Sequence, residues 1–155
     1  MSVLVLARAL KFTAIPALVA SLLSGCSGLA TLNAALLSQD YPVAADIAYG
    51  PDPRHRLDVH RPEDGSGHPV VVFFYGGGWK NGDRGDYRFV AEALVKRGYV
   101  VVIPDYRVYP AVRFPSFIED GARAVAWARE NVGRYGGDPE RIYLGGHSAG
   151  AHLGA

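Results

Sequence analysis

Between Pro69 and Tyr75 the chain reads Pro-Val-Val-Val-Phe-Phe-Tyr, an unbroken run of β-branched and aromatic residues. A strand with one face in water alternates apolar and polar residues. A run this continuous predicts a strand covered on both faces, as in parallel sheets flanked by helices. Two more runs of the same kind follow, Tyr99–Ile103, ended by Pro104, and Arg141–Leu144. Between them lie two stretches of helical periodicity. Asp86–Arg97 places Phe89, Val90, Ala93 and Leu94 on one side and is stopped by Gly98. Phe117–Val132 offers Ile118, Ala122, Val125 and Ala126 as its inner face, with Trp127 beside it. Ala149 begins another helix. Strand and helix in strict alternation predict an α/β fold with an open, mostly parallel sheet and crossover helices. Two shorter strands precede this unit, Ile47–Tyr49 and Arg56–His60, joined by the turn Pro51-Asp52-Pro53. Asp64–Gly67 reads as a loop, and Asp138-Pro139 as a turn and helix start.

The N-terminus differs in kind. Arg8 and Lys11 precede an apolar run from Phe12 to Leu23, followed by Ser24, Gly25 and Cys26. A basic start, a short apolar run and small residues describe an export signal. The run is too short for a spanning helix, which needs ~20 apolar residues. Leu23-Ser24-Gly25-Cys26 further resembles the lipobox of bacterial lipoproteins, whose cysteine becomes the lipidated first residue of the mature protein. Cys26 is the chain's single cysteine, so no intramolecular disulfide competes for it. The expected organisation is a signal over 1–25, a tether and short helix over 26–44, and a globular part over 45–155. Export to the bacterial cell envelope, held at a membrane surface through Cys26, follows from that reading. Charge is balanced, 16 Lys and Arg against 15 Asp and Glu, with no basic stripe to suggest nucleic acid. There is no metal-ligand spacing, and no cofactor is expected.

Two glycine clusters carry the chemistry. Tyr75-Gly76-Gly77-Gly78-Trp79 follows the first buried run, where ligands bind in open α/β sheets and bare backbone can present N–H groups. Its spacing is not that of a dinucleotide loop. Gly146-His147-Ser148-Ala149-Gly150 follows the third run and matches G-x-S-x-G in the strand–turn–helix context that lifts a serine out on a sharp elbow.

With these blocks in order, the chain resembles the α/β-hydrolase carboxylesterases of the hormone-sensitive-lipase-like and feruloyl-esterase-like groups. "FFYGGGW" is similar to their H-G-G-G block, "PDYRVYP" to D-Y-R, "FIEDGARAVAWARENV" to the intervening helix, and "YGGDPERIYLGGHSAGAHLGA" to the nucleophile block. The resemblance spans about Ala45 to Ala155. It implies hydrolysis of a small-molecule carboxylic ester through a serine acyl-enzyme. It implies Ser148 as nucleophile, the amides of Gly76, Gly77 and Ala149 as oxyanion donors, and Gly78 and Trp79 as pocket-shaping residues. Tyr75 departs from the usual histidine, a change in how the loop is braced rather than in what it donates. Asp105 is expected to brace loops rather than catalyse. His147 should point away from Ser148, and His152, one turn on, is the nearest spare imidazole. Trp79, Tyr109 and Phe114 are either pocket walls or core aromatics.

The family's order is Ser, then Asp or Glu, then His, and only seven residues follow Ser148. The expectation is therefore the N-terminal half of an esterase, with the C-terminal part of the fold missing and the Arg141–Leu144 strand unpaired on one side. A non-catalytic binding module, or a peptidase or thioesterase on the same fold, stands as the alternative.

Overall fold

The computed structural model describes Gly28, Thr31, Asn33 and residues 40–155. The signal run and Cys26, with most of the short helix expected after it, lie outside the described residues.

Five strands form one sheet in the order β1-β2-β4-β3-β5. They are β1 (Val43–Ala48), β2 (Arg56–His60), β3 (His68–Phe74), β4 (Val100–Pro104) and β5 (Gly137–Gly146). β1 runs antiparallel to β2, and β2 antiparallel to β4. β3 lies between β4 and β5, parallel to both. Crossover helices join the parallel strands in chain order, α1 (Arg88–Val95) between β3 and β4 and α2 (Ser116–Asn131) between β4 and β5. The apolar runs make the centre of this sheet. Val70, Val71 and Val72 stand opposite Val100, Val101 and Val102, and all five residues of β4 are buried. His60 at the end of β2 is buried too, and burial pulls its imidazole pKa down to about 4, so it is a neutral core residue at neutral pH.

Five expectations need correction. The third apolar run is not covered: β5 is the outer strand of the described sheet, with Tyr143 55% and Leu144 45% exposed. Asp138-Pro139 starts no helix. It sits in β5 where the register with β3 slips, and the Asp138 carboxylate accepts the Glu140 amide at 3.0 Å to shape the irregularity. In α1 the deepest face is Ala91, Glu92 and Val95, while Ala93 is exposed. In α2 it is Asp120, Gly121, Ala124 and Ala128, while Ala122 and Ala126 are exposed. Both shifts have one cause. Each helix carries an acid that finds partners inside the protein, Glu92 holding Lys96 at 2.5 Å and Asp120 holding both His55 and Arg107, so each acid is buried. The helix expected from Ala149 is a single 3-10 turn over Ser148–His152.

Candidate active site

β5 ends at Gly146, and the chain turns through His147 into Ser148. Ser148 has φ 51°, the left-handed region that costs a residue with a Cβ about 1–3 kcal/mol and clusters at functional sites. The turn is pinned to the neighbouring strand: the His147 amide donates to the Phe74 carbonyl at 3.0 Å, and Gly150 donates to the His147 carbonyl at 2.9 Å. The two motif glycines are steric necessities. A Cβ on Gly146 would sit 2.4 Å from the Gly150 carbonyl oxygen, and one on Gly150 would sit 2.2 Å from that of Phe74. Ser148 itself is exposed, while the following Ala149 is buried.

The glycine loop leaves β3 beside this turn. A Cβ on Gly76 would fall 3.2 Å from Ser148 Cβ and 2.7 Å from His147 Nδ1, so the loop's backbone runs against the serine turn. Gly77, with φ 142°, is closed in by the Asn81 carbonyl, which lies 2.0 Å from where its Cβ would be. Gly78 also has positive φ, and nothing lies near its Cβ position. Trp79 has φ 57°; its ring stacks on Phe117 at 5.8 Å and meets His152 at 5.6 Å. The structure thus brings Gly76, Gly77, Gly78, Trp79, Ser148 and Ala149 together at the carboxyl ends of β3 and β5. It changes the part open to Gly76, whose amide donates to the Tyr87 hydroxyl at 3.4 Å and so already has an acceptor inside the protein.

Tyr75, standing where the resemblance expects histidine, does brace this loop. It is fully buried and its hydroxyl accepts from Arg54 at 2.8 Å. Its carbonyl accepts the Tyr106 hydroxyl at 2.7 Å, and the Tyr75 and Tyr106 rings stack with centroids 4.7 Å apart. Arg54 ties the same loop further, donating to the carbonyls of Tyr106 at 2.9 Å and Gly82 at 3.0 Å.

Asp105 is a structural acid. It is buried and accepts the Arg84 amide at 2.9 Å as well as the Arg84 guanidinium, which also reaches Asp58 at 2.8 Å and Asp46 at 3.0 Å. Burial pushes the Asp105 carboxyl up against the opposing pull of Arg84. Arg107 forks onto Asp120, with Nε 2.9 Å from Oδ2 and Nη2 2.7 Å from Oδ1. His55 Nε2 approaches Asp120 Oδ1 at 2.9 Å, and His55 Nδ1 accepts the Asp52 amide at 3.2 Å. An imidazole that accepts at Nδ1 carries its proton on Nε2, so His55 is the donor to Asp120. This buried His–Asp pair is an anchor between the β1–β2 turn and α2.

His147 turns to Tyr87, whose hydroxyl lies 2.8 Å from its Nδ1, and His152 packs on Trp79. Tyr109 and Phe114 are 42% and 76% exposed, hence not core aromatics. Sequence reasoning missed Tyr87, Arg84 and the His55–Asp120 pair. Their signals, a Gly-Asp-Arg-Gly-Asp-Tyr stretch after Trp79 and an aspartate inside an apolar helix pattern, acquire meaning only from their partners.

A family model described as BD-FAE matches residues 57–155. Esterase LipC of Mycobacterium tuberculosis is 41% identical over 124 residues, covering 78% of this chain and 31% of that protein. The probable isoprenylcysteine alpha-carbonyl methylesterase ICMEL1 of Oryza sativa subsp. japonica is 43% identical over 114 residues, covering 73% and 27%. Among solved structures, esterase B from Lactobacillus rhamnosis superposes with a TM-score of 0.73 at 27% identity, covering 89% of this chain and 47% of that one. The esterase of Pyrobaculum calidifontis gives 0.68 at 31% identity, covering 83% and 42%. The chain therefore spans less than a third of these curated relatives and less than half of these solved chains. With the family model matching residues 57–155 and the fold superposing on these solved esterases, the chain belongs to the BD-FAE family of the α/β-hydrolase fold.

Proposed function

We propose that the chain is the nucleophile-bearing part of a serine carboxylic-ester hydrolase, with Ser148 as nucleophile. The observation that carries this reading is Ser148, held at φ 51° with the Gly76 backbone against its turn. Ser148 Oγ attacks the ester carbonyl while its proton passes to a base. The carbonyl oxygen becomes an oxyanion, received by the amides of Ala149 and Gly77. Collapse expels the alcohol and leaves an acyl-serine, which water then hydrolyses by the same route. One such amide is worth about 2.7–4 kcal/mol in the transition state. The base and its orienting acid are proposed to belong to sequence beyond Ala155.

The first test is p-nitrophenyl acetate hydrolysis by the parent protein that carries the base and acid, alongside its Ser148→Ala variant. Saturable turnover that vanishes in Ser148→Ala is the expected result; equal turnover in both would remove Ser148 from its role. A second reading is a non-catalytic module on the same fold. On that reading neither protein turns over the ester.

We also propose Cys26 as a lipid attachment point at the bacterial envelope, supported by Leu23-Ser24-Gly25-Cys26 closing a signal-like run. In bacterial cells, the chain should take up a labelled fatty acid and partition with membranes. Undiminished labelling of Cys26→Ala would refute the assignment.

A further inference from the structure

Tyr87 touches both halves of the site and belongs to neither motif. It ends the 3-10 turn Arg84–Tyr87, is 6% exposed, and lies among the rings of Phe73, Tyr75 and Phe89. Its hydroxyl takes the Gly76 amide at 3.4 Å from the glycine loop. The same oxygen lies 2.8 Å from Nδ1 of His147, the residue before Ser148. A tyrosine hydroxyl holds one proton to give, and it spends its acceptor capacity on Gly76. The arrangement that satisfies all three groups runs Gly76 N–H to Tyr87 Oη, then Tyr87 O–H to His147 Nδ1. It leaves the His147 proton on Nε2.

The turn presenting Tyr87 is itself tied down. The Asp83 carboxylate caps it by accepting the Gly85 amide at 2.7 Å, and Arg84 is moored to Asp58, Asp105 and Asp46. The hydroxyl is therefore a fixed point in a buried setting, and groups bonded to it cannot drift separately. The distance between the glycine loop and the serine turn is the quantity an oxyanion hole depends on, since one donor, Gly77, sits on the loop while Ala149 and the nucleophile sit on the turn.

Resting on the ester-hydrolase reading, we infer that Tyr87 is a positioning residue, whose hydroxyl clasps Gly76 of the glycine loop to His147 of the nucleophile turn and sets their spacing. His147 then has a role its place in the motif does not reveal. It is the handle by which the turn is held, not a proton acceptor for Ser148.

The test is Tyr87→Phe, which keeps the packed ring and removes the hydroxyl, together with His147→Ala and the double variant. With p-nitrophenyl acetate, each single variant, made in the parent protein that carries the base, should lower kcat by about tenfold to a hundredfold, the range for a small misplacement of reacting groups, with KM nearly unchanged. The double variant should lose no more than the worse single one, because both cut the same link. Additive losses, or an effect confined to KM, would overturn the clasp. A second readout needs no catalysis: nitrogen NMR of the His147 ring should show Nδ1 as an unprotonated, hydrogen-bonded acceptor, and Tyr87→Phe should move that signal. Should the wild-type parent protein show no Ser148-dependent turnover, the hydrolase reading fails and the NMR alone judges the clasp. An unmoved Nδ1 signal would sink it.

Discussion

Replacing Asp120 with alanine is expected to lower the unfolding free energy by about 3 kcal/mol, the lower end of the range for breaking a buried ion pair by removing one partner. Asp120 is fully buried, and its two oxygens serve the Arg107 guanidinium, the Arg107 amide at 3.0 Å, and His55 Nε2. Without the carboxylate, His55 keeps a buried donor with nothing to receive it. Arg107, a quarter exposed, recovers part of its loss in water, which sets the effect at the lower end. Urea unfolding of the variant checks this, with Asp120→Asn as a milder comparison that keeps one acceptor. A loss below about 1 kcal/mol would mean the site relaxes around the gap. The pH dependence has a definite sign. Burial pushes the Asp120 carboxyl up, but the hydrogen bonds from Arg107 and then His55 hold it below its ordinary value. Its contribution is therefore complete above the unfolded pKa of ~3.9. It fades as pH falls through the lower folded value, so wild type and Asp120→Ala should converge in acid.

Gly150→Ala is the second large effect, and its cause is steric. The new methyl would lie 2.2 Å from the Phe74 carbonyl oxygen and 2.4 Å from that of Tyr75. Both atoms are backbone at the end of β3, which is hydrogen-bonded on both sides, so neither can give way. The turn carrying Ser148 must move instead. A destabilisation of about 3 kcal/mol or more is expected, the upper end for overpacking, together with loss of any Ser148-dependent turnover. Gly133→Ala serves as the control. It faces open space and should stay within about 0.5 kcal/mol of wild type. Equal unfolding temperatures for the two variants would show that the turn is looser than its contacts imply.

The sequence by itself determined the centre of the fold and where its two glycine motifs fall. Continuous apolar runs such as Pro69–Tyr75 announce buried strands, because no surface strand tolerates seven residues without a charge. Alternation with amphipathic helices then leaves a mostly parallel sheet as the outcome. The two glycine motifs were legible because their constraint is local, a backbone conformation or an approach that excludes Cβ. Only the tertiary structure decided which charged residues turn inward and what the loops hold. The phases of α1 and α2 follow from ion pairs formed by Glu92 and Asp120, and the exposure of β5 from its place at the edge of the sheet. Tyr87 looked like any aromatic residue in a loop until the fold carried it to Gly76 and His147, 11 and 60 residues away. Periodicity reports burial along one element, whereas a hydrogen bond depends on where two distant elements meet. That meeting is set by the packing of the whole sheet.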